Sequence, residues 1–220
     1  MIKVLNLYCG IGGNRKLWSN NEIEVTAVEN NPQIAAIYQE FFPMDKIIVT
    51  DAHQYLLEHY KEFDFIWSSP PCPTHSVVNG FLNAQGVIRY PDFRLYEEIV
   101  FLRQWFKGKF VIENVYPYYF DILAWKPSII NRHCFWTNFV IGSEKLKYNV
   151  FNTLNARHNT RENIDKQLKK LLKLYQFDDF IAPRTLKIQV LRNCVNPKLG
   201  LHIFNSAFKE IQEKLICHKQ

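Results

Sequence analysis

A chain of 220 residues, 47% of them apolar and 22% charged, can bury a core and form one domain with a small appendage, which excludes an intrinsically disordered chain. The formal net charge of +6 suits a polyanionic partner such as nucleic acid without requiring one. Five scattered cysteines (Cys9, Cys72, Cys134, Cys194, Cys217) lack zinc spacing, the first residues carry no signal-peptide pattern, and no apolar run nears the roughly 18 residues that span a bilayer. A reduced, cytoplasmic protein without a membrane partner is therefore expected.

Residues 2–8 read as a buried strand, followed by a glycine turn over 10–13 and a helix over 14–19. Residues 23–28 form a second strand, and Asn31-Pro32 reads as a helix cap with proline at the first helical position. Residues 47–49 form a third strand, and Asp51 precedes a helix reaching about position 60. Residues 63–67 form a fourth strand that ends in Ser68-Ser69-Pro70-Pro71, and a loop of about twenty residues follows, long enough to be functional. Residues 93–106 are helical and 109–112 make a fifth strand. Strands alternating with helices predict an α/β fold, a mostly parallel sheet with helices on both faces.

The character changes over residues 143–184. A basic helix spans 161–175, with leucines at 168, 171, 172 and 174; its lysine face is equally a solvated face or a DNA contact. A last helix is expected over 196–216.

Ligands of parallel sheets bind beyond the carboxyl ends of the strands. In this chain those ends carry Tyr8-Cys9-Gly10, Glu29-Asn30, Asp51, Pro70-Pro71-Cys72 and Glu113-Asn114. The turn Gly10-Ile11-Gly12-Gly13 lets backbone approach a ligand, but Arg15 stands where a dinucleotide fingerprint has its third glycine. A nucleoside cofactor with a smaller anionic group fits better than a pyrophosphate. Glu29 can accept from two ribose hydroxyls or be a plain strand end; Asp51 can accept from an adenine amine or be a helix cap.

Prolines on both sides of Cys72 remove backbone donors and stiffen its loop. Cys72 is either a nucleophile or a buried structural thiol. The first role needs nearby positive charge, for which Arg89, Arg94 and Arg132 are candidates. Glu113 can hydrogen-bond a ring nitrogen and an amine of a nucleobase.

In order and spacing, these segments resemble the cytosine-5 methyltransferase family. Leu7-Tyr8-Cys9-Gly10-Ile11-Gly12-Gly13 looks like its cofactor motif, and Val28-Glu29-Asn30 and Thr50-Asp51 like its ribose and adenine motifs. Pro70-Pro71-Cys72 looks like the catalytic Pro-Cys motif, Pro91-Asp92-Phe93-Arg94-Leu95-Tyr96 like the helix-opening motif, and Val111-Ile112-Glu113-Asn114-Val115 like the Glu-Asn-Val motif. Gln189-Val190 and Asn193-Cys194-Val195 resemble the last motif, which closes the cofactor pocket.

The resemblance implies a Rossmann-like S-adenosylmethionine-dependent methyltransferase fold. Its catalytic residues would be Cys72, Glu113 and Arg132; its cofactor residues Tyr8, Gly10, Gly12, Gly13, Glu29, Asn30, Asp51, Ala52, Pro71, Asn193 and Val195. No metal is implied, since a sulfonium already activates its methyl group. Residues 1–142 would be the catalytic and cofactor-binding domain, 143–184 a small target-recognition region, and 185–220 a segment returning to the catalytic domain. The implied activity is methylation of carbon 5 of cytosine in DNA through a covalent Cys72 adduct and a flipped-out base. The alternatives are a tRNA cytosine-5 methyltransferase and a catalytically weak DNA-binding subunit that needs a partner.

Three positions depart from the family pattern. Asn131-Arg132-His133 stands in place of an Arg-x-Arg element. The Phe135-Trp136 anchor gives its second position to His133 and a one-residue shift gives it to Arg132; Arg132 is taken, because it is always charged. Arg192 replaces a glycine of the last motif and Pro73 a glutamine after the cysteine.

Overall fold

The computed structural model describes residues 1–19, 22–118, 123–143 and 161–208. Seven strands form one sheet in the order β3-β2-β1-β4-β5-β7-β6. They are β1 (Ile2–Leu7), β2 (Ile23–Glu29), β3 (Lys46–Val49), β4 (Phe65–Ser68), β5 (Lys109–Val115), β6 (Ser128–Ile130) and β7 (His133–Thr137). The first five pair in parallel, and β7 runs antiparallel to both β5 and β6. The sheet is mostly parallel, as expected.

The helices are α1 (Pro32–Phe41), α2 (Ala52–His59), α3 (Val78–Ala84), α4 (Arg94–Trp105), α5 (Arg161–Tyr175), α6 (Arg184–Asn193) and α7 (Pro197–Phe208). Alternate side chains of the strands feed opposite faces of the sheet. Leu5, Leu7 and Val28 pack with Leu56 of α2 and Ile99 and Leu102 of α4. On the other face, Val4, Val25 and Phe65 pack with Trp18 and with Leu199 and Ile203 of α7. A third cluster joins Ala27 of β2 to Ile34 and Ile37 of α1, Leu168 and Leu172 of α5, and Val190 and Leu191 of α6. The leucine stripe of α5 is thus core on its Leu168 and Leu172 side. No helix among the described residues is long and apolar enough to cross a membrane.

Local chemistry sets most helix starts. The Asn31 side chain accepts from the Gln33 and Ile34 amides at 2.9 and 3.3 Å, and Pro32 supplies the first helical φ. Asp51 caps α2 through the Gln54 amide at 2.9 Å. Residues 14–19 are turns and not the expected helix. Their amides bond three residues back, Arg15 to Gly12 and Trp18 to Arg15, because the side chains of Arg15 and Trp18 are pulled into the core.

Two helices and a hairpin were not expected. Helix α3 lies within the long loop; it buries only Asn79 and so leaves no apolar stripe to read. Helix α6 buries Leu186, Val190 and Leu191 in a stretch rich in charge. The hairpin of β6 and β7 turns at Asn131, whose φ of 57° suits asparagine. Positions 209–216 of the expected last helix, residues 144–160 of the target-recognition region, and Cys217 lie outside the described residues.

Candidate active site

Strand order reverses beside β1: β2 leaves it on one side and β4 joins it on the other. A crevice opens at such a switch point, beyond the carboxyl ends of the strands. The predicted residues collect there in two groups.

The first group lies beyond β1, β2 and β3. Tyr8 and Gly10 each adopt a φ of 53° and Gly12 one of 79°, so the chain leaves β1 in a tight left-handed turn. A Cβ on Gly12 would strike the rings of Phe42 and Tyr38, whereas one on Gly10 would meet nothing within 4 Å. Of these two glycines, Gly10 borders open space. The buried Glu29 carboxylate is aimed by two backbone amides: Gly10 donates to Oε2 at 3.1 Å and Asn31 to Oε1 at 3.0 Å. Asp51 spends Oδ1 on its helix cap and turns Oδ2 towards Arg94 Nη1 at 3.4 Å, while remaining half exposed. Asn30 is exposed beside Glu29 and Ala52 is buried beside Asp51. Tyr8 points inward, its hydroxyl donating to Glu98 at 2.7 Å.

The end of α6 closes over this turn. A Cβ on Gly13 would collide with Cys194 Sγ and the Val195 carbonyl, so the absence of a side chain at Gly13 lets the two segments touch. Val195 is buried at that contact, and Asn193 is exposed and lines the neighbouring cavity.

The second group lies in the loop after β4 and on the last residues of β5. Asn114 holds the Cys72 loop by donating to the Pro70 carbonyl at 3.0 Å, and the amides of His75 and Ser76 bond the Cys72 carbonyl at 3.0 and 3.1 Å. Pro71 is exposed and Cys72 half-buried. Cys72 lines a cavity of about 770 Å³ with Arg132 and His133 on one side and Lys170, Gln189 and Asn193 of α5 and α6 on the other. Burial pushes its thiol up, the Glu113 carboxylate pushes it further, and Arg132 opposes both. Of the three arginines considered for Cys72, Arg132 is the one that lines the same cavity. Arg94 is engaged by Asp92 at 2.9 Å, and Arg89 donates to the Pro73 carbonyl at 3.5 Å.

Glu113 is buried and its Oε1 lies 2.6 Å from His133 Nδ1. Sequence reasoning weighed His133 and passed over it, although the Phe-Trp anchor was the signal that found it. It missed Glu98 altogether. This fully buried carboxylate on α4 accepts from Tyr8, from Ser68 Oγ at 2.5 Å and from His53 Nδ1 at 3.1 Å. Its signal was an acid at helical spacing with the apolar Leu95, Ile99 and Leu102.

The family model for C-5 cytosine-specific DNA methylase matches residues 2–116. No curated protein matches the chain. Among solved structures, the PH0226 protein of Pyrococcus horikoshii is 23% identical with a TM-score of 0.37, over 52% of this chain and 49% of that one. The Entamoeba histolytica methyltransferase EhMeth is 20% identical with a TM-score of 0.34, over 52% of this chain and 38% of that one. Spodoptera frugiperda DNMT2 is 28% identical with a TM-score of 0.37, over 52% of this chain and 36% of that one. The chain thus spans half or less of the length of these proteins.

Proposed function

The chain belongs to the C-5 cytosine-specific DNA methylase family, and on that premise we propose that it transfers a methyl group from S-adenosylmethionine to carbon 5 of cytosine in DNA. The observation that carries the reading is that Cys72, in the loop after β4, and Glu113, near the end of the neighbouring parallel strand β5, fall at the same edge of the sheet, with Cys72 opening on a cavity that Arg132, His133, Lys170 and Arg192 also line.

The residues beyond β1, β2 and β3 fit the cofactor. Gly10 borders open space, the Glu29 oxygens keep capacity for ribose hydroxyls, and half-exposed Asp51 offers an acceptor to an amine. When bound, S-adenosylmethionine supplies a methyl group already activated by its sulfonium charge.

The remaining chemistry belongs to the chain. Carbon 5 of cytosine is a poor nucleophile. Addition of the Cys72 thiolate to carbon 6 makes it enamine-like, while Glu113 holds or protonates ring nitrogen 3. Once carbon 5 has taken the methyl group, its proton is lost to solvent, Glu113 takes back any proton given to ring nitrogen 3, and elimination of the Cys72 thiolate ends the cycle. A stacked base is out of reach, so the nucleotide is flipped out, and the segment 74–90 closes over it. In this reading residues 143–184 form a small target-recognition region, and Lys170 of α5 faces the nucleic acid from across the cavity. So small a region is the reason to expect a partner subunit for target choice.

The test is labelled cofactor with mixed-sequence duplex DNA and, in parallel, tRNA, followed by base-resolution mapping of methylcytosine. Label in DNA cytosine that is lost in Cys72→Ser supports the reading. Label in tRNA alone moves the substrate to RNA, and salt-dependent DNA binding without transfer leaves a binding subunit.

A further inference from the structure

Arg132 lines the cavity beside Cys72, and two of its three nitrogens are engaged by the protein itself. Its Nη2 donates to the Arg192 carbonyl, in the last turn of α6, at 2.7 Å. Its Nε donates to His133 Nε2 at 3.3 Å. The other imidazole nitrogen, Nδ1, meets Glu113 Oε1 at 2.6 Å. The sheet brings these groups together: His133 is opposite Val115 and Glu113 opposite Phe135, so His133 and Glu113 are diagonal neighbours on one face of an antiparallel pair.

These contacts select one tautomer. A guanidinium carries donors only and stays charged, so the nitrogen facing it must present a lone pair. The imidazole proton then sits on Nδ1, where an ionised carboxylate can accept it. The His133 and Glu113 side chains are each 10% exposed, so little water competes for these bonds.

We propose that Arg132 serves Glu113 through His133, as a relay in which Arg132 fixes the imidazole tautomer and His133 fixes Glu113 Oε1, leaving Oε2 to face the base. Arg132 and His133 are positioning residues for the carboxylate, and Arg132 contributes by this route in addition to its charge beside Cys72. The Arg192 carbonyl anchors the relay to the end of α6, which also closes the glycine turn. The inference rests on the cytosine reading of the Cys72 and Glu113 pair.

The first test is nitrogen NMR of the full chain labelled in its histidine rings, at a pH where they are neutral, with His133→Asn to assign the signal. The relay predicts a protonated Nδ1 and a bare Nε2 at His133, and an Arg132→Met chain in which that preference is lost. A wild-type His133 protonated on Nε2 overturns the relay with no variant needed. The second test is a double-mutant cycle on the methyl-transfer rate. Arg132→Met and His133→Leu each lower kcat, their combination falls at least tenfold short of the product of the two losses, and His133→Asn, which keeps a donor near the Nδ1 position, recovers most of the His133→Leu loss. Losses that multiply, or an Arg132→Met chain that raises KM for DNA at unchanged kcat, overturn it. A wild-type chain that methylates no cytosine overturns the underlying reading instead, and is told apart from these by the wild-type rate alone.

Discussion

The Tyr8 hydroxyl donates to Glu98 Oε1 at 2.7 Å and so ties the end of β1 to α4 across 90 positions of sequence. The same carboxylate accepts from Ser68 at the end of β4 and from His53 on α2. One buried side chain thus holds together the two strand ends that form the switch point. Burial, reinforced by Glu98, pushes the Tyr8 hydroxyl well above the usual phenol range, so it stays a donor.

Glu98→Ala leaves the hydroxyls of Tyr8 and Ser68 and the ring of His53 without this acceptor. Each buried group left unpaired costs about 1–3 kcal/mol, so the variant should lose several kcal/mol of stability in urea unfolding. An unchanged midpoint would show that the network contributes nothing net.

His53 makes this network sensitive to pH. Its hydrogen bond to Glu98 raises its pKa, with burial opposing. A group with a raised folded pKa stabilises fully below its unfolded value, about 6.5 for histidine, and loses that contribution as pH rises through the folded value. Stability should therefore decline as pH climbs from about 6.5 through the folded pKa of His53. His53→Gln should flatten that part of the profile, and identical slopes in both chains would exclude His53 as the cause.

Cys72 should be slow to alkylate at neutral pH, because burial and then Glu113 push its thiol above the ordinary range. The rate should keep rising with pH beyond the point where a free cysteine levels off. Arg132→Met removes the opposing charge and should move the curve further up. A lower inflection in that variant would contradict the assigned role of Arg132. Serine at Cys217 in the test chains keeps the readout on Cys72, since Cys9, Cys134 and Cys194 are buried.

Asp51 carries a cap and a candidate cofactor contact at once, and two substitutions separate them. Asp51→Ser keeps a capping oxygen, while Asp51→Ala should cost about 0.5–2 kcal/mol of stability. Both should weaken S-adenosylhomocysteine binding in calorimetry. Unchanged binding in the serine variant would reduce Asp51 to a cap.

The parallel core was legible because buried strands of Val, Ile and Leu alternate with capped amphipathic helices, and Asn31, Pro32 and Asp51 mark two of those helix starts directly. The strand-end residues followed from that reading. The hairpin of β6 and β7 was not legible, since β6 has three residues and exposes two of them. The turns at 14–19 looked helical because the burial of Arg15 against Asp45, at 2.9 Å, depends on residues thirty positions away. Glu98 was hidden for the same reason: its partners at 8, 53 and 68 converge only when the sheet is built. The choice between Arg132 and His133 rested on charge, whereas strand pairing decides which side chain reaches Glu113.

The central claim is a covalent bond from Cys72 to cytosine. Fluorine at carbon 5 blocks the final proton loss, so duplex DNA containing 5-fluorocytosine, incubated with S-adenosylmethionine, should trap the enzyme. Mass spectrometry of the denatured mixture is predicted to find protein joined to DNA through the peptide containing Cys72, and nothing joined in Cys72→Ser. Methyl transfer to cytosine with no trapped adduct, or an adduct at another residue, would contradict the account.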